Sequence, residues 1–219
     1  MILTLPQEIC GFHAAAPPRI CMPKIKESPI AKLMPTQITV GMIEVADKVK
    51  HLKALKPSER VDFMRAHTMP AVIGVQGCVY ITDHHHLCRA ALELGIETGF
   101  FEIEADLSSS SPEGFWKEMD KNCWVHPLDE NGVRHFYTAI PRHLQELVDD
   151  VYRSISAYVR NAGGFDKTTK AFAEFVWADF FRRAIPIELV RADFAAAVRL
   201  AVPLAHSSHA KGMPGYTEK

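Results

Sequence analysis

The stretch from Val79 to Leu94 limits the fold more tightly than any other part of this chain. A short apolar run, Val79-Tyr80-Ile81, ends at Thr82-Asp83, and three consecutive histidines follow. Leu87, Ala90, Ala91 and Leu94 then recur on one side of a helix that stops at Gly95. A strand therefore turns directly into a helix. Asp is a good N-cap, so the pattern predicts Asp83 as the cap and places His84, His85 and His86 on the first helical turn. Backbone N–H groups there have no partner within the helix and sit at the positive end of its dipole, which makes the turn an anion site before side chains are counted. Imidazoles add donors whose charge changes near neutral pH.

The surrounding pattern supplies a scaffold for that turn. Val45, Val49 and Leu52 recur at helical spacing, Lys56-Pro57 breaks the helix, and a second helix opens at Ser58 and runs to about His67. Pro70 to Val75 and Cys78 to Ile81, separated by Gln76-Gly77, predict a hairpin, and Thr98 to Glu104 alternates as a strand. Residues 33–107 thus read as an α+β unit, preceded by an irregular, proline-rich segment over 1–32. Ser111 and Pro112 fit the N-cap and N1 of a further helix, and Asn131-Gly132 predicts a turn between Trp124-Val125 and Val133 to Tyr137. Past Pro141 the pattern is helical: about 141–147, 150–161, a helix carrying Phe172, Phe175, Val176 and Phe180, and 186–202. The expectation is a mainly helical subdomain over 108–205 and a flexible tail over 206–219.

Composition narrows the function classes. A net charge of -1 gives no basic footprint, which disfavours a dedicated duplex-DNA binder, although nucleic acid stays open as a ligand. Five cysteines without C-x-x-C spacing argue against a disulfide framework and a zinc knuckle. There is no apolar run long enough for a membrane span and no signal-peptide pattern, so a reducing cytoplasm is the expected location.

The residues from Pro35 to Gly95 resemble the ParB/sulfiredoxin superfamily, and within it the ParB-like nuclease family. The ParB signature G-E-R-R-x-R-A-A lays its glycine on His84, its glutamate on His85 and its first arginine on His86. Its second arginine falls on Leu87, its third on Arg89, its alanines on Ala90-Ala91, and the glycine beyond on Gly95. In the free-serine-kinase branch an Asp-Gly-His-His-type turn corresponds to Asp83, His85 and His86. Upstream, Pro35-Thr36-Gln37, Val40-Gly41 and Glu44-Val45 look like the family's first box, and an acidic residue near that box in the related kinases makes Glu44 a catalytic candidate. The resemblance implies a ParB/sulfiredoxin-like α+β domain carrying a C-terminal all-helical subdomain. Two departures matter: His84 replaces a glycine that permits positive φ, and Leu87 removes a phosphate-binding arginine. No helix-turn-helix pattern follows, so a chromosome-partition role does not come with the fold. The sulfiredoxin cysteine falls nearer His85, and Cys88 reads as a small buried thiol.

Three readings of the histidine run stand side by side: a solvated polar turn, a metal site, and a phosphate cradle. A metal site is weakened because His84 and His86 do not share a helix face. The cradle combines the N–H groups and imidazoles of His85 and His86 with Arg89, four residues on, and makes His85 a catalytic candidate as well. Asp83 either caps the turn, competing with a phosphate, or binds Mg²⁺ and takes a proton in phosphoryl transfer. Thr36 and Gln37 are candidate substrate contacts. The function expected is binding of a nucleotide or other small phosphorylated ligand, with Mg²⁺-dependent phosphoryl transfer, as in a small-molecule kinase, or phosphodiester cleavage, as in a nuclease. The alternatives are a non-enzymatic nucleotide-sensing or protein-binding module and a His-cluster metalloenzyme.

Overall fold

The computed structural model describes residues 25–218. Its elements, in chain order, are β1 (Ile25–Pro29), β2 (Thr39–Val40), α1 (Met42–Ala54), α2 (Pro57–Ala66), β3 (Met69–Ile73), β4 (Val79–Ile81), α3 (His85–Glu93), β5 (Thr98–Asp106) and α4 (Pro112–Lys121), then β6 (Val148–Asp149), α5 (Val151–Asn161), α6 (Ala173–Ala184), α7 (Ile187–Ala192) and α8 (Phe194–Ala205). This is the expected α+β order followed by helices. Among the described residues no helix is long and apolar enough to cross a membrane.

Four strands form one sheet in the order β1-β5-β3-β4. The β3–β4 hairpin is antiparallel, with Ala71 opposite Ile81, whereas β5 runs parallel to β3 and antiparallel to β1. α3 is the crossover between β4 and β5. Its apolar side, Leu87, Cys88, Ala90 and Ala91, packs into one core with Val45 and Leu52 of α1 and Phe100 and Phe101 of β5. The Cys88 thiol lies against Met69 in that core, and burial raises its pKa, as a structural thiol requires. A second core belongs to α5–α8 and centres on Trp177 and Phe181. A third lies under α4, around Phe115 and Met119.

Three devices join the sheet half to the helical half. β2 and β6 pair in parallel. Gly41, just ahead of α1, sits so close to α5 that an added Cβ would lie 2.5 Å from Ser154 Oγ and 2.8 Å from its backbone nitrogen. Tyr158 of α5 donates a hydrogen bond to Asp47 of α1. The cleft between the halves is therefore held open by fixed contacts.

Several local expectations are corrected. Of the segment over 1–32, residues 1–24 lie outside the described residues, while 25–29 form the edge strand β1 and 30–32 a 3-10 turn. The hairpin around Asn131-Gly132 has no strands, only a bridge between Leu128 and Arg134. Asp129 Oδ1 accepts from the N–H groups of Asn131 and Val133, so a side chain organises this turn in place of a ladder. The helix expected over 141–147 is a 3-10 turn at Leu144–Glu146. The one expected over 186–202 is broken at Asp193, whose Oδ1 accepts the N–H of Ala196 and starts α8 afresh. The tail is packed, because Trp177 Nε1–H donates to Pro214 O at 2.7 Å and Asp166 N–H to Gly215 O at 2.8 Å.

Candidate functional site

Between β4 and α3 the chain makes the turn that the sequence singles out. His84 stands at φ 63°, ψ 22°, in the left-handed region where the ParB signature has glycine, so the imidazole-bearing residue keeps the glycine's backbone shape. α3 begins at His85, and no side chain caps it. The expected Asp83 cap is corrected: Asp83 Oδ1 accepts the N–H of His84 at 2.6 Å, one residue too early. The left-handed residue turns the helix away from Asp83. The first-turn N–H groups are thereby left to another acceptor, and the competition foreseen between Asp83 and an anion disappears.

His85 and His86 are used differently from the expectation. The Thr36 N–H donates to His85 Nε2, and the Gly41 N–H donates to His86 Nε2, each at 3.0 Å. Both rings are buried, and burial pushes His85 down to about 3 and His86 well below the ordinary imidazole range. A nitrogen that accepts from a backbone N–H carries no proton of its own. The 3.7 Å approach of His86 Nε2 to Glu44 Oε2 is therefore not an ion pair. The two imidazoles are neutral struts that fasten the 36–41 segment onto α3, and the roles of ring donor to phosphate and catalytic His85 are corrected on that ground. Only their backbone N–H groups remain available to an anion.

The other expected residues divide. Thr36 is sealed in, its Oγ1 donating to Ile81 O at 2.8 Å, so it supports His85 and contacts no ligand. Gln37 is buried, with Nε2 donating to Thr39 O, yet borders the cleft. Arg89 is corrected: its guanidinium donates to the carbonyls of Leu144 and Gln145 and pairs with Glu93 at 3.0 Å. The chain at 144–147 packs across that side of α3 and captures the arginine. Glu44 lies in the cleft, with Oε2 3.2 Å from Arg153 Nη1 and Oε1 3.7 Å from Lys48 Nζ.

The cleft has a volume of about 920 Å³. The α3 turn and α1 form one side, and α5 with the 167–175 segment forms the other. Lys48, Arg153, Arg160, Lys167 and Lys170 supply positive charge, and Arg160 is paired with Glu174. The local sequence pattern does not mark Arg153, which reads there as one polar residue of an amphipathic helix; only folding brings it to Glu44. Lys167-Thr168-Thr169-Lys170, a basic run after a glycine pair, is the one visible signal on that side. His84 is lowered by burial, against the opposing pull of Asp83, and the charges of His67, Lys48 and Lys167 add to the lowering. Beside it Thr82 Oγ1 donates to Glu104 Oε2 at 2.7 Å, and burial raises the Glu104 carboxyl. Among the described residues no three His, Cys, Asp or Glu side chains converge as a metal site. Asp83 and Glu104 on the same wall match the one or two carboxylates by which Mg²⁺ is held when phosphate oxygens and water fill its remaining positions.

Comparison with known proteins agrees with this architecture. A family model described as "Putative ParB-like nuclease" matches residues 26–183. Among solved structures, the chain is similar to protein Atu1540 from Agrobacterium tumefaciens. The TM-score is 0.85 with 36% sequence identity, over 90% of this chain and 98% of that one. No curated protein matches.

Proposed function

The chain belongs to the ParB-like nuclease family, and on that premise we propose that its cleft binds a nucleotide or other phosphorylated ligand and acts on it by phosphoryl transfer or phosphodiester cleavage. The observation that carries this reading is the start of α3, an uncapped helix N-terminus opening into a cleft lined by Lys48, Arg153, Lys167 and Lys170. A phosphate placed there accepts from the N–H groups of the first turn and is neutralised by the lysines. Glu44, held by Arg153 and Lys48, is the group placed to orient or deprotonate an attacking hydroxyl or water. Asp83 would hold Mg²⁺, which supplies charge neutralisation on the transferring group. Near-neutral net charge favours a small ligand over duplex DNA.

The test is thermal unfolding with pyrophosphate, nucleotides, phosphoserine and a short DNA, with and without Mg²⁺. A ligand at about 100 times its Kd stabilises by roughly 2.7 kcal/mol, which raises Tm by about 5–10 °C in a chain of this size. The shift is expected to shrink in a Lys48→Glu/Lys167→Glu variant. Turnover of the stabilising ligand should be lost in Glu44→Gln while the shift persists. No shift with any phosphate compound ends the reading. Binding without turnover supports the non-enzymatic sensing module.

A further inference from the structure

The same cleft carries an aromatic stack that phosphate binding does not use. His51, Phe63 and His67 all line it, contributed by α1, α2 and the residue that ends α2. Phe63 is the middle ring: its centroid lies 5.1 Å from His51 and 3.9 Å from His67, the latter nearly parallel at 21°. His67 is fixed by a second contact, since its Nδ1–H donates to Phe63 O at 2.8 Å. An exposed imidazole is ordinarily free to rotate. This one is pinned through both its face and its edge, with Nε2 unprotonated.

The cleft's other rings are differently placed. Phe172 and Phe175 pack against the buried His126 at 4.7 and 4.0 Å, and Phe175 also meets the Arg153 guanidinium. Their faces are committed to the interior. Among the described residues Phe63 is the one ring stacked on His67, so His67 ends its stack, exposed, with its outer face toward the cleft. It also lies near the α3 turn, because its charge is felt at His84.

Resting on the phosphate reading above, we infer that the cleft's ligand carries a nucleobase, stacked on His67 while its phosphate meets the first turn of α3. A prefixed planar ring beside an anion site is the arrangement by which bases and their phosphates are held together without readout of base identity. The chemistry is shared by a free nucleotide and by one unit of a single strand.

The experiment compares nucleoside monophosphates with ribose 5-phosphate by calorimetric titration, so that the two ligands differ only in the base. One stacked base is worth roughly 5- to 150-fold in affinity, and the monophosphates should exceed ribose 5-phosphate by that order. His67→Ala should bring the two together by weakening the nucleotide alone, and His67→Phe should keep them apart. Equal affinities in the unaltered protein overturn the inference, as does a His67→Ala variant that weakens both ligands alike or a His67→Phe variant that loses the discrimination. A short oligonucleotide binding more tightly than its monomer identifies a strand as the source, and the reverse identifies a free nucleotide. If pyrophosphate and ribose 5-phosphate also fail to bind, the phosphate site itself is at fault, an outcome distinct from loss of base discrimination.

Discussion

In the helical half, Trp177 lies between Phe165 and Phe181, with ring centroids 4.3 and 5.6 Å away. In the sheet half, His85 and His86 are buried to a similar degree, but each takes a backbone N–H from a segment more than forty residues earlier in the chain. The first core is made of groups that need only to leave water. The second is made of groups that leave water at a cost unless one particular partner arrives. The aromatic core can tolerate repacking, whereas the histidine turn is specified by two hydrogen bonds and fails when the rings charge.

The largest effect should come from the aromatic side of this comparison. Trp177→Ala removes a fully buried indole and the Nε1–H bond that holds the C-terminal segment at Pro214. A loss of about 3–5 kcal/mol is expected in urea unfolding, together with early release of residues 206–218 in hydrogen exchange. A loss under about 1 kcal/mol would show that the helical core does not depend on this stack.

The histidine side should respond to acid. Burial holds His85 and His126 down at about 3, whereas an unfolded imidazole titrates near 6.5. Below about 6.5 the unfolded chain binds protons that the folded one refuses, so stability is full above that pH and falls as pH drops toward 3. At pH 5 each histidine should cost roughly 2 kcal/mol. Urea unfolding at pH 7, 6 and 5 measures the slope, and His126→Phe, filling the same Phe172–Phe175 niche, should remove one share of it. A flat profile would mean that these rings charge within the fold, contrary to their burial and their acceptor nitrogens.

The contrast also explains what was legible in the sequence. Apolar spacing identifies α1, α3, α5 and α6 and the β3–β4 hairpin, because each buries a stripe or face that can be read locally. The position of α3 and the left-handed shape of its first turn follow from the strand-to-helix pattern and the family signature. The destinations of polar side chains do not. Arg89 could be placed on the correct face of α3, but the carbonyls of residues 144 and 145 that take it are invisible from position 89. The same holds for Thr36, for the two imidazoles, and for Arg153, whose meeting with Glu44 spans the joint between the halves.

That joint offers the next test. Gly41→Ala would place a Cβ against both the side chain and the backbone of Ser154, and the backbone cannot rotate away. A loss of about 1–3 kcal/mol is expected. Ser154→Gly should recover only part of it, since the contact with the Ser154 nitrogen persists. Full recovery would locate the crowding at the hydroxyl alone and leave room for the halves to shift.

The smallest expected change separates shape from chemistry at the turn itself. His84 adopts a backbone conformation that costs a residue with a Cβ about 1 kcal/mol or more. His84→Gly removes that strain, while the added freedom of glycine in the unfolded chain returns about 0.4–1 kcal/mol of the gain. Stability should therefore rise by a few tenths of a kcal/mol or stay level, in spite of a half-buried side chain being deleted. If the anion site consists of backbone N–H groups alone, the glycine variant binds pyrophosphate as well as the parent. If the imidazole contributes, the variant keeps its Tm and loses part of the ligand-induced shift, most clearly below neutral pH where the ring can carry charge. A clear drop in stability would show instead that the His84 ring packs as an essential wall of the cleft, and would move it from the ligand side of the comparison to the structural side already occupied by His85 and His86.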